Sequence, residues 1–249
     1  MKRTRYSNGK AINLVLKVSN QSDGTPEIFR SIQGEGVNIG MPTVFLRLAQ
    51  CNLMCSWCDT KYTWDWDNYD YESEVHDMSD SEVEDVISGF DCKHLVITGG
   101  EPLIQARQLV PLAQSLKSLG YFIEVETNGT LVPDDGLSGL VDQWNVSPKL
   151  ANSANALNRR ESSHALRFFA ELPNAYFKYV VNTPDDLLEI LDLNSRYGIA
   201  ESNTILMPQA ENCNELDQKS GWIVELCKQS GFRFSTRLHV ILWGAKRGV

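Results

Sequence analysis

The sequence predicts an α/β fold: a partial (βα)6-type barrel of parallel strands, open rather than closed, with the active site at the strand C-terminal ends. Two observations carry this. Six short β-rich runs, at 43–48, 94–98, 121–126, 143–146, 176–181 and 203–207, alternate with amphipathic segments, the pattern of right-handed βαβ units. Small and polar residues also recur just after these runs: Gly99-Gly100-Glu101, Thr127-Asn128-Gly129, Ser147-Pro148-Lys149 and Met207-Pro208-Gln209. In parallel α/β folds such loops share one face, which is where ligands bind.

The connecting elements follow in order. Ser79 with Glu82 three residues on forms a capping box, and Val83, Val86, Ile87 and Phe90 then fall on one helical face. A later helix is predicted to begin at Thr183, with Pro184 at its first position, where a missing N–H costs little. Two stretches exceed what the minimal fold needs. Residues 64–80 are rich in Asp, Glu and aromatics and read as an inserted loop or lid; residues 150–163 are polar and irregular. The whole of 1–249 is expected to form one domain.

Composition restricts the partners. Lys and Arg number 23 against 32 Asp and Glu, a formal charge of −9, so the general field attracts neither nucleic acid nor anionic lipid. The basic N-terminal residues Lys2, Arg3 and Arg5 precede an apolar stretch broken by Asn13 and Lys17, with no small-residue cleavage site. No apolar run approaches membrane-spanning length. The six cysteines are therefore expected to be thiols in a reducing compartment, with the cytoplasm as location. His76, His164, Cys92, Cys213 and Cys227 are read as structural or surface residues.

Cys51, Cys55 and Cys58 stand in CNLMCSWCDT, directly after the first barrel strand. Close-set thiolates bind soft metals, chiefly zinc or iron–sulfur clusters. A structural zinc site needs four ligands, and the triplet has no local fourth. A cubane on three thiolates leaves one iron open for another ligand. Arg47 is a charge inside an otherwise apolar strand, an unusual placement unless the residue has a function.

CxxxCxxC with Trp57 before the last cysteine resembles the cluster motif of the radical S-adenosylmethionine (SAM) enzymes, and Gly99-Gly100-Glu101-Pro102 resembles their GGEP element. The resemblance implies a 4Fe-4S cluster on Cys51, Cys55 and Cys58. Its open iron is chelated by S-adenosylmethionine, whose reductive cleavage yields a 5′-deoxyadenosyl radical. It also implies that Trp57 borders the adenine, that Gly100 and Glu101 receive the methionine amino group, and that Gly129, Ser147, Pro148 and Lys149 line the adenosyl part. Met207, Pro208, Gln209 and Ala210 stand where related enzymes have Gln-Pro-x-Ser, without the serine hydroxyl.

Residues 27–36, which contain Ile32-Gln33-Gly34-Glu35-Gly36, resemble the 7-carboxy-7-deazaguanine synthase family when taken with Arg47, Asp59-Thr60, Arg237-Leu238-His239 and Leu242-Trp243-Gly244. That resemblance implies ring contraction of 6-carboxy-5,6,7,8-tetrahydropterin with loss of ammonia. Ile32, Gln33, Gly34, Arg47, Thr127 and the carboxylate of Val249 are then the substrate contacts, and Thr60 a ligand of Mg2+. It further implies a pterin substrate, an electron-donating reductase such as flavodoxin, and a homodimer. Two rival readings share part of the motif set: a glycyl-radical activase and a zinc-stabilised interaction module without catalysis.

Overall fold

The computed structural model describes residues 6–7, 10–11, 15–244 and 246–249; Lys2, Arg3, Arg5 and Asn13 lie outside them. A small antiparallel hairpin, β1 (Tyr6–Ser7) and β2 (Lys10–Ala11), precedes a ten-stranded sheet. The sheet contains β3 (Val15–Ser19), β4 (Ile28–Ile32), β5 (Pro42–Leu48), β6 (Val75–Ser79), β7 (His94–Gly99), β8 (Phe122–Thr127), β9 (Gln143–Val146), β10 (Ala175–Val181), β11 (Thr204–Pro208) and β12 (Arg233–Phe234). Its order is β12-β11-β10-β9-β8-β7-β5-β3-β6, with β4 paired to β5. From β5 to β12 the pairings are parallel, and the six predicted barrel runs are β5 and β7 to β11.

The helices are α1 (Tyr71–Glu74), α2 (Asp80–Ser88), α3 (Ala106–Ser118), α4 (Asp135–Ser138), α5 (Leu157–Arg160), α6 (Ser163–Ala170), α7 (Asp186–Tyr197), α8 (Cys213–Ser230) and α9 (Leu238–Trp243). Side chains alternate across each strand. Leu46, Leu48, Leu95, Ile97, Ile123, Val125, Trp144, Phe177 and Tyr179 face the helices and are buried in the main core. Each such aliphatic residue contributes about 1.5–3 kcal/mol by leaving water. The opposite face lines the barrel interior. It holds a small apolar cluster of Phe29, Phe45 and Val96 and, in register with them, Arg47, Thr98, Glu124, Glu126, Asn145 and Lys178.

Three local expectations change. The capping box at Ser79 is present, with Val83 and Ile87 buried, but Val86 is exposed. The later helix is regular from Asp186 (Asp186–Tyr197) rather than from Thr183: the turn at 183–188 is bonded i→i−3, as from Asp186 N–H to Thr183 O, and the Asp186 carboxylate caps it by accepting the N–H groups of Asn182 and Thr183 at 2.7 and 3.0 Å. Residues 64–80 are no simple loop: 75–79 form β6, which pairs antiparallel with β3 along five residues. Residues 150–163 are tied down as well. Asn152 Nδ2 donates to Val180 O and to Asp186 at 3.0 and 2.9 Å, and Arg160 pairs with Glu189.

Candidate active site

One cavity of about 670 Å3 opens where the parallel strands end, within the size range of small-molecule sites. Cys51, Cys55 and Cys58 lie on its wall in the loop after β5. The loop is shaped from outside. Gly100 N–H donates to Leu48 O at 2.9 Å and Glu101 N–H to Gln50 O at 2.8 Å. A Cβ on Gly99 or Gly100 would sit 2.0 Å from Leu48 O or Gln50 O respectively. The two glycines thus admit the backbone of the cysteine loop. Gln50 itself has φ +76°, a left-handed conformation uncommon outside glycine. Just before α3, Gln105 Nε2 donates to Lys17 O and Ala49 O at 3.1 and 3.0 Å, and its Oε1 accepts Lys17 N–H.

The three thiols are unpaired with one another, and each has an N–H donor. Leu53 N–H reaches Cys51 Sγ at 3.5 Å, Asn155 Nδ2 reaches Cys55 Sγ at 3.3 Å, and Trp64 Nε1 reaches Cys58 Sγ at 3.3 Å. Burial pushes the Cys51 thiol up to about 12 and also raises Cys55, so iron must displace their protons to bind. Among the described residues no three His, Cys, Asp or Glu side chains gather closely enough to hold one metal ion. Three cysteines around a common space, each with an N–H donor, fit a larger iron–sulfur cluster better than a single zinc.

Glu101 is fully buried and does not line the cavity. Its carboxylate accepts Leu103 N–H at 3.0 Å, Thr127 Oγ1–H at 2.8 Å and Asn128 N–H at 2.6 Å. Burial raises its pKa despite these donors. It clamps the β7 and β8 loops, while Gly99, Gly100 and Thr127 reach the cavity. Trp57, Ser147, Lys149, Met207, Pro208 and Gln209 also line it. Lys149 Nζ lies 5.5 Å from the Trp57 ring centroid and donates to Ser147 Oγ at 2.8 Å. Gly129, Pro148 and Ala210 stand behind this wall; Gly129 has φ +74°, and its missing Cβ leaves space for Val146.

Ile32, Gln33, Gly34, Arg47, Thr60 and Val249 line the same cavity, and Thr60 Oγ1 lies 3.7 Å from Cys58 Sγ, beside the cysteine triplet. Arg47 Nε donates to Glu27 at 2.9 Å. Among the described residues, no protein group caps its two terminal nitrogens, so a planar fork faces the cavity. Burial works against the guanidinium, but Glu27 beside it keeps the arginine firmly charged. The Gln33 amide is engaged: Nε2 donates to Glu124 at 2.8 Å and Oε1 accepts Glu35 N–H at 3.2 Å. Gly34 lacks a Cβ where His239 packs; one built there would lie 2.2 Å from His239 Nδ1.

Sequence reasoning misses the charged floor of the barrel. Lys178 pairs with Glu35 and lies 3.5 Å from Glu126, whose other oxygen accepts Thr98 Oγ1–H at 2.8 Å. Arg237 joins three loops, pairing with Glu35 at 3.0 Å and with Asp59, and donating to Ala210 O. Burial opposes the charge on Glu35, but Lys178 and Arg237 hold its carboxyl far below the usual range. The signal that could have found Glu124, Glu126 and Lys178 is the one that marks Arg47: a charge at alternate positions of an apolar strand.

A model of the Radical SAM superfamily matches residues 47–216. The 7-carboxy-7-deazaguanine synthase of Pyrobaculum aerophilum is 41% identical over 223 residues, covering 89% of this chain and 95% of that protein. The synthase of the same name from Halobacterium salinarum is 34% identical, with 91% and 94% covered. The crystal structure of QueE from Escherichia coli superposes with a TM-score of 0.66 at 26% identity, covering 90% of this chain and 95% of that one. The chain therefore belongs to the radical SAM superfamily, and within it to the 7-carboxy-7-deazaguanine synthase family.

Proposed function

We propose that this chain converts 6-carboxy-5,6,7,8-tetrahydropterin to 7-carboxy-7-deazaguanine with loss of ammonia. The observation that carries this is one cavity lined both by the three thiols and by the uncapped fork of Arg47. When bound, the 4Fe-4S cluster and S-adenosylmethionine supply a radical that removes a hydrogen atom from the substrate. The residues of the chain position the reactants. Cys51, Cys55 and Cys58 hold the cluster, and the donors to their sulfurs favour the reduced, more negative state. Trp57, Ser147, Lys149 and residues 207–209 offer an aromatic face and polar groups to the nucleoside part.

Arg47 takes the substrate carboxylate in a bidentate pair, with Glu27 fixing its Nε. The Gln33 amide is already held by Glu124 and the Glu35 N–H, so Ile32, Gln33 and Gly34 bound the pterin by shape. Thr60 offers a hydroxyl to Mg2+, a hard cation that takes oxygen ligands. Lys178, Arg237 and Arg247 are paired with Glu35, Asp59 and Glu74, so it is the uncapped terminal nitrogens of Arg47 that meet an anionic substrate. Enclosure of the cavity keeps water from the reacting centre.

A reductase such as flavodoxin supplies the electron, in the cytoplasm. No helix of the described residues is long and apolar enough to cross a membrane. A homodimer is supported by the exposed apolar side chains Met41, Ile241, Leu242 and Trp243 near the free edge of β4. The test is anaerobic turnover of 6-carboxytetrahydropterin by protein carrying a full cluster. Formation of 7-carboxy-7-deazaguanine is expected, and a loaded enzyme that yields none refutes the assignment.

A further inference from the structure

We propose that Arg247, through Tyr62 and Glu27, is a positioning residue that sets the carboxylate-binding fork of Arg47. The guanidinium of Arg247 lies 3.4 Å from the Tyr62 ring centroid, a cation–π contact. Its Nη1 donates to Glu74 at 2.8 Å and to Asn20 O at 3.1 Å. Tyr62 in turn donates its hydroxyl to the Glu27 carboxylate, at 3.0 and 3.1 Å to the two oxygens. Glu27 is fully buried, and its Oε1 accepts Arg47 Nε at 2.9 Å. Arg247, Tyr62, Glu27 and Arg47 all line the same cavity.

The geometry makes the chain of contacts directional. A buried carboxylate must have its lone pairs satisfied, and Glu27 has two side-chain donors, Arg47 and Tyr62. With the phenol in place, the carboxylate plane is fixed and so is the Nε edge of Arg47. The opposite edge of that guanidinium then points at the ligand. Arg247 packs on the Tyr62 ring and is itself anchored on Glu74 of α1. Segment 64–80 therefore supports the site: its helix supplies the carboxylate that anchors the wall, and β6 ties the segment to β3.

The inference rests on the proposed carboxylated substrate and is tested against it. Cluster-loaded protein with S-adenosylmethionine is titrated anaerobically with 6-carboxytetrahydropterin and with tetrahydropterin lacking the carboxylate. Tyr62→Phe and Arg247→Met are each expected to weaken binding of the carboxylated ligand by roughly tenfold, as loss of a charge-linked contact does, with less than about twofold for the other ligand. KM is expected to rise by more than kcat falls. Equal losses for both ligands, or no loss, overturn the proposal. Wild-type protein that shows no preference for the carboxylated ligand instead overturns the substrate reading. The contact of Arg247 with Tyr62 is then judged by trypsin: cleavage after Arg247 is expected to be slow in wild type and fast in Tyr62→Ala, and equal rates overturn the proposal.

Discussion

Replacing Gly100 by alanine tests how the cysteine loop is shaped. The added Cβ would meet Gln50 O at 2.0 Å and Cys51 N at 3.0 Å. Carbon–oxygen contacts of that kind need at least about 3.0 Å, so the Gln50–Cys51 peptide or the β7 strand end must move by about 1 Å. Neither partner is a flexible side-chain tip. The move breaks the hydrogen bonds from Gly100 N–H to Leu48 O and from Glu101 N–H to Gln50 O. Two such bonds are worth about 1–3 kcal/mol, and the residual strain adds to that. A loss of about 3 kcal/mol corresponds to a fall in Tm of roughly 6–12 °C for a chain of this size. The displaced residue precedes the first cluster ligand, so bound iron per chain after anaerobic reconstitution should fall as well. Thermal unfolding of the iron-free protein and iron analysis after reconstitution measure the two effects separately. Unchanged Tm with full iron content would refute the idea that these glycines exist to admit the loop.

Other outcomes follow from single contacts. Arg47→Met is expected to raise KM for the carboxylated pterin by about 100-fold, the loss of a charge-assisted pair worth roughly 1.5–3 kcal/mol, with a smaller effect on kcat; steady-state kinetics measure it. Asn155→Ala removes the amide donor to Cys55 Sγ and should shift the cluster potential to more negative values in an EPR-monitored redox titration. Thr60→Ala should abolish stimulation of turnover by added Mg2+ while leaving iron content intact. Acid should destabilise the fold in two stages. Burial lowers His239 from 6.5, so below about pH 6.5 the unfolded chain takes up a proton that the folded chain refuses, and stability falls. Glu35 and Glu124 are also depressed below 4.5: despite burial, Lys178 and Arg237 favour the charged form of Glu35 and the His94 hydrogen bond that of Glu124. Their contribution is complete above about pH 4.5 and is lost as pH falls through the folded values. Glu35→Gln should flatten the lower stage in a Tm-against-pH series.

Local signals in the sequence carry well and distant ones do not. The six parallel strands are legible because β-branched runs and the residues that follow them are contiguous. The cysteine triplet is legible for the same reason. The capping box at Ser79 depends only on Ser79 and Glu82. By contrast, β6 consists of Val-His-Asp-Met-Ser, which carries little strand preference; its pairing with β3, about 60 residues earlier, makes it a strand. Thr183 and Pro184 have the residue types of a helix start, and the turn they open is there, capped by Asp186 but bonded i→i−3, so the regular helix is counted only from Asp186. Glu101 has the chemistry to receive an ammonium group, yet its partners are Thr127 and Asn128, about 26 residues away, and their loop becomes its neighbour only after β7 and β8 pair. The charges on the barrel floor are visible as letters. Their meaning depends on which face of the sheet is enclosed, and that is a property of the whole fold.

The contacts that close the cavity are among the most distant in the chain. Arg237 meets Glu35 across 202 residues, Ser235 meets Gly36 across 199, and Arg247 meets Asn20 across 227. Contacts of such separation bear the largest loop-closure cost. The loop carrying Cys51, Cys55 and Cys58 is held by shorter ties to the end of β7 and by longer ones to Asn152 and Asn155. Both ends of the described chain thus meet at the cavity wall, so a change near either end is felt at the space the cysteine loop borders.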